Sequence, residues 1–171
     1  QGGLKEGPPT PPIPPPPPKK KISSTPFIKL FFKTSKNLFR NFFYYLKNNI
    51  EVFYVTAVNF PEGIEDAYKK LYSILPENKM RNFFGISYPN ENGNIIYKAA
   101  AEALFPGESE KYNLESFTIK KGDYISEKIT NWKKDVSEVS NVFQKLLQDN
   151  RINRQNGYCL EMYLNDNDMI C

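Results

Sequence analysis

The sequence predicts an α+β domain: a tandem β-α-β-β repeat forming two antiparallel sheets, with the helices on one face and a ligand cleft on the other. Three observations lead there. Short runs rich in Val, Phe, Tyr and Thr alternate with segments whose apolar residues recur at helical spacing. The order strand, helix, hairpin occurs twice. The two hairpins also overlay: residues 84–92 lie on residues 159–167, with Tyr88 matching Tyr163, Asn90 matching Asn165 and Asn92 matching Asn167.

The elements follow in order. Residues 51–58 have the β-branched and aromatic content of a strand. Phe60-Pro61 opens a helix, because proline is tolerated in a first turn. Ile64, Ala67, Tyr68, Leu71, Tyr72 and Leu75 supply its apolar face, and Pro76 ends it. Residues 83–88 and 94–101 are strands around a Pro-Asn-Glu-Asn-Gly turn. In the second half, residues 116–120 and 124–130 are strands broken at Gly122. Asp135 with Glu138 three residues later has the spacing of a capping box. Val136, Val139, Val142, Phe143, Leu146 and Leu147 form the stripe of the second helix. Residues 158–164 are a strand, and a tight Asn165–Asp168 turn leads into residues 169–171.

This domain, residues 50–171, follows two segments of different character. Residues 1–26 hold nine of the 14 prolines between Pro8 and Pro18, then Lys19-Lys20-Lys21, and read as a disordered tail. Such a tail is a linker, translated non-coding sequence, or a ligand for a proline-reading protein partner. Residues 27–49 are basic and aromatic. Lys29, Lys33, Lys36 and Arg40 would stripe a helix, although the segment lacks a clear cap and is equally compatible with an unstructured stretch. Residues 1–49 carry +8, and the remainder −4, so the pI of 8.9 does not signal a nucleic-acid surface. The end at Cys171 falls in what reads as the middle of a strand, as in a fragment.

The composition excludes several chemistries. There is no histidine, which removes a His-based triad and His-ligated metals, and two cysteines cannot build a four-thiolate site. No phosphate-binding glycine loop or cofactor motif occurs, and no apolar run is long enough for a membrane span. The expectation is a soluble, cytoplasmic protein without metal or cofactor.

Phe117-Thr118-Ile119-Lys120-Lys121-Gly122-Asp123-Tyr124 before the second helix, and Cys159-Leu160-Glu161-Met162-Tyr163-Leu164-Asn165 after it, resemble the GyrI-like effector-binding domains. These are the ligand-binding domains of AraC-type and MerR-type regulators, and they also occur alone. The likeness covers about residues 50–171. It implies a tandem β-α-β-β fold with a cleft, and a glutamate at the cleft floor that attracts cationic aromatic ligands. Residues 1–49 contain nothing like the helix-turn-helix of those regulators, so direct nucleic-acid binding is not expected.

Glu161 is the residue on which the expected site rests, the alternative being a purely structural carboxylate satisfied by a neighbouring Tyr or Lys. It sits between Leu160 and Met162, and strand alternation puts Tyr163 on its side. A carboxylate among apolar residues is costly to desolvate, and aromatic faces around it favour a cation. Tyr97, Tyr54, Trp132 and Tyr124 are the further ligand-binding candidates, any of which an ordinary core would also use. Ala99, Ala100 and Ala101 leave room for a ligand or for a packed helix. Glu127 reads as exposed beside Lys128, and Cys159 as facing away from Glu161. The leading function is a multidrug-type binding domain for a hydrophobic, cationic small molecule, as a regulator-related sensor or a sequestering protein. The alternatives are a GyrI-like hydrolase of reactive electrophiles with Glu161 as general base, and a DNA gyrase-inhibitor-like protein.

Overall fold

The computed structural model describes residues 42–76, 80–152 and 157–171. The proline-rich tail and the basic stripe from Lys29 to Arg40 lie outside them. The described chain is α+β, with two antiparallel sheets and few helices. Strands β1 (Phe42–Leu46) and β6 (Gly122–Ser126) pair as a two-stranded sheet. The seven-stranded sheet runs β5 (Glu115–Ile119), β2 (Ile50–Thr56), β4 (Ile95–Glu102), β3 (Phe83–Pro89), β8 (Cys159–Tyr163), β9 (Asp168–Ile170), β7 (Lys128–Thr130). No described helix is long and apolar enough to cross a membrane.

Two strands differ from the sequence reading. Residues Phe42–Leu46 are extended, not helical. Their aromatic side chains suit a pleated surface, and β6 supplies hydrogen-bonding partners about eighty residues away. The stretch 124–130 divides at Glu127, with β6 pairing to β1 and β7 to β9. Glu127 itself exchanges two 3.0 Å backbone bonds with Cys171. Gly122, with φ of 144°, opens β6 in a conformation that side chains disfavour.

Helices α1 (Ile64–Ile74) and α3 (Ser137–Leu147) occupy the same face of the large sheet. Helix α1 buries Ala67 and Leu71 against Phe53, Val55, Ala99 and Ala101. Each buried Leu-sized side chain contributes about 1.5–3 kcal/mol. Helix α3 buries Val142 and Leu146 against Ile129 and Met169. The register links these patches: Val55 pairs Ala99, Ala99 pairs Gly85, Gly85 pairs Glu161, and Tyr163 pairs Met169. All these residues therefore share the helix-bearing face. At the start of α3, Asp135 accepts the Ser137 N–H at 3.0 Å. A four-residue helix, α2 (Glu108–Lys111), is anchored by Glu108, which pairs with Arg81 at 2.9 Å out of contact with water.

The connectivity β2-α1-β3-β4 gives sheet order β2-β4-β3, and β7-α3-β8-β9 gives β7-β9-β8, meeting at the antiparallel β3–β8 pair. The residue-by-residue hairpin overlay does not carry over. It matches positions on opposite sides of the sheet: Gly85, overlaid on Leu160, instead pairs with and shares the side of Glu161. Tyr88 accordingly faces the helix-free side beside Lys98, whereas Tyr163 faces the helices.

Candidate functional site

The central strands β3 and β8 bring the strand carboxylate and its tyrosines together on the helix-bearing face. Tyr97 projects from β4, reaches across β3 at Gly85 and donates its hydroxyl to Glu161 Oε2 at 2.7 Å. Tyr163 donates to the same oxygen at 2.6 Å. Tyr68 from α1 donates to the Phe84 carbonyl at 2.8 Å and places its hydroxyl 3.5 Å from that of Tyr97. Gly85 makes this crossing possible: a Cβ there would fall 2.1 Å from the Tyr97 hydroxyl oxygen and 2.6 Å from Glu161 Oε2.

Aromatic rings surround the carboxylate. Tyr68 meets Tyr163 edge-on at 5.9 Å, and Trp132 lies 5.5 Å from Tyr163. Phe60, itself exposed, stacks on Tyr97 at 5.9 Å. Both hydroxyl bonds converge on Oε2. No hydrogen bond to Oε1 is formed among the described residues. No Lys or Arg forms an ion pair with Glu161 among the described residues. The indole Nε1 of Trp132 is also buried and unpartnered.

The electrostatics follow from that arrangement. Burial pushes the Glu161 carboxyl up, and the hydroxyls of Tyr163 and Tyr97 only partly oppose it. Tyr68, Tyr97 and Tyr163 are all held well above the ordinary phenol value, first by burial. They remain neutral donors. Cys159 lies two residues from Glu161 and thus shares its side of β8, contrary to the sequence reading. Burial and then the Glu161 charge raise its thiol, which disfavours a thiolate nucleophile.

The six sequence candidates separate by face. Glu161, Tyr163, Tyr97 and Trp132 come together. Tyr54 and Tyr124 do not, because they occupy the helix-free side. There Tyr54 bonds Glu115, and Lys98 Nζ sits 3.9 Å from the Tyr54 ring centre, with Tyr88 and Phe117 as further walls. An internal ammonium already uses those aromatic faces. Tyr124 instead hydrogen-bonds Tyr158 at 2.8 Å. Glu161 therefore does not face the helix-free side, where the sequence reading put the cleft. Ala99 and Ala101 pack beneath α1, and Ala100 joins the opposite cluster. Glu127 is partly shielded and pairs with Lys145 at 2.5 Å.

Tyr68, Phe60 and Gly85 were not singled out from sequence. A lone glycine inside a strand is a signal of close approach. Tyr68 on the apolar stripe of α1 is indistinguishable from core. Among the described residues, no group of three or more His, Cys, Asp or Glu could hold a metal ion.

No protein-family model matches the chain, and no curated protein matches it. Among solved structures it is similar to an integron cassette protein from the mobile metagenome of Vibrio cholerae. The TM-score is 0.51 at 15% identity, covering 75% of this chain and 95% of that one. At that identity the likeness shows the fold alone.

Proposed function

We propose that the chain is a small-molecule-binding domain of GyrI-like type that captures a hydrophobic cation on Glu161. In this reading the two β-α-β-β halves are a tandem repeat, and the cleft runs between α1 and α3 above β3 and β8. One observation carries it: the Glu161 carboxylate has no ion-pair partner among the described residues and lies among Tyr68, Tyr97, Tyr163 and Trp132. A delocalised cation there would neutralise the carboxylate and contact ring faces, worth about 0.5–2 kcal/mol per cation–π contact. Binding without chemistry suits a ligand sensor or a sequestering protein.

Trp132 is the chain's single tryptophan and reports on the site directly. Titration with tetraphenylphosphonium should quench its fluorescence saturably. Glu161→Gln should weaken binding about tenfold or more, or 1.4 kcal/mol. Unchanged affinity in that variant would remove Glu161 from the site and end the proposal. A second reading, hydrolysis of reactive electrophiles, draws on the raised Glu161 carboxyl, which suits a general base. Turnover of an epoxide or activated ester, abolished by Glu161→Gln, would select it over binding alone.

A further inference from the structure

Strand β8 lies in the middle of the large sheet, yet every residue from Cys159 to Tyr163 is only partly buried. Neither face of this central strand is sealed. One face is that of Glu161. On the other, Leu160 and Met162, with Ile170 of β9 and Phe84 of β3, floor a cavity of about 550 Å³. The β1–β6 sheet and the last turns of α3, through Phe143 and Leu146, wall it. That volume lies in the range that accepts a small amphiphile. Leaving such a floor wet forfeits about 25 cal/mol for each Å² of apolar surface.

The chemistry of the lining restricts the occupant. Of the three lining tyrosines, Tyr124 and Tyr158 already use their hydroxyls. Tyr124 donates to the Lys120 carbonyl at 2.5 Å, and Tyr158 accepts the Lys120 N–H at 3.0 Å. The floor residues carry no polar side-chain group except the Met162 thioether, so the buried part of a ligand must be apolar. The charged side chains of the lining are Lys120, Arg151 and Asp123, and Arg151 is paired with Asp149 beside the cavity. Lys120 makes no ion pair among the described residues. Arg151 bonds Asp149 and lies 5.1 Å from the Phe43 ring centre, holding its charge at the wall.

We propose that this cavity binds a single-chain amphiphilic anion of the long-chain fatty acid class. The acyl chain lies over Leu160, Met162 and Ile170, and the carboxylate meets Lys120 and Arg151. Leu160 and Met162 alternate with Glu161 along β8 and point to the opposite side of the strand, while Phe143 and Leu146 reach the cavity from α3.

The test is titration of the full chain with 11-(dansylamino)undecanoic acid, followed by dansyl emission and displaced with oleate. The parent chain should bind saturably. Met162→Trp, which fills the cavity, should weaken binding about tenfold or more. The exposed double variant Lys120→Glu, Arg151→Glu, chosen because it leaves the core intact, should weaken it about fivefold or more. Glu161→Gln should bind as the parent does. Absence of saturable binding overturns the proposal. So does loss in Glu161→Gln with retention in Met162→Trp, which would put the probe on the other face. Equal displacement by oleyl alcohol would overturn the anionic class.

Discussion

Gly85→Ala is the sharpest perturbation of the tyrosine–carboxylate arrangement. The added methyl would fall 2.1 Å from the Tyr97 hydroxyl oxygen, 2.6 Å from Glu161 Oε2 and 2.8 Å from Tyr97 Cζ. Tyr97 has little room to retreat, being 1% exposed and stacked under Phe60. Two costs follow. Overpacking of this kind runs to about 1–3 kcal/mol, and a hydrogen bond to a charged acceptor is worth about 1.5–3 kcal/mol. The 2.7 Å Tyr97–Glu161 bond should break, and the expected loss is about 2–4 kcal/mol. For a domain of this size that lowers the melting temperature by about 5–15 °C. Thermal denaturation measures it, with tetraphenylphosphonium titration in parallel, where affinity should fall with the displaced carboxylate. Combining Gly85→Ala with Tyr97→Phe removes the closest clash and should recover part of the lost stability. A Gly85→Ala protein that melts and binds like the parent would refute the reasoning, because the crossing of Tyr97 over β3 would then carry no constraint.

Three further outcomes are expected. Because the folded Glu161 carboxyl is raised, the native state holds more protons than the unfolded chain between the two values, so this residue makes stability fall as pH rises through that window. Glu161→Gln should remove that slope in urea melts carried upward in pH from the ordinary carboxylate range, and cation binding by the parent should weaken on acidification through the same window. Arg81→Met removes the 2.9 Å ion pair to Glu108, whose side chain is 0% exposed, and should cost about 3–5 kcal/mol in urea denaturation. Tyr68→Phe deletes the 2.8 Å bond to the Phe84 carbonyl and should cost about 0.5–1.5 kcal/mol, measured the same way.

Much of the fold was legible because its signals are local. The helical stripe of Ala67 and Leu71, and that of Val142 and Leu146, each mark a buried face that the structure uses. Strand β1 was hidden because its partner β6 is remote, and a basic stripe upstream competes with its aromatic β signal. The split at Glu127 depends on a backbone pair with Cys171 that no local pattern encodes. At the site, alternation placed Tyr163 beside Glu161 correctly. Which face they share was not legible, since it depends on where α1 and α3 settle. Tyr54 illustrates the limit: its sequence context resembles that of Tyr97, but Lys98 lies at the ring of one and Glu161 at the hydroxyl of the other.

The aromatic nest around Lys98 works as a site with a tethered guest. Burial acts to lower the ammonium, but the Tyr54 and Tyr88 hydroxyls outweigh it and hold the net shift upward, so the guest stays charged. A free amine would compete against a partner attached through the backbone, whose local abundance corresponds to millimolar or more. Soluble cations are thereby turned away from Tyr54, Tyr88 and Phe117. One pleated layer thus presents opposite polarities on its two sides, a fixed positive group on one and a fixed negative group on the other.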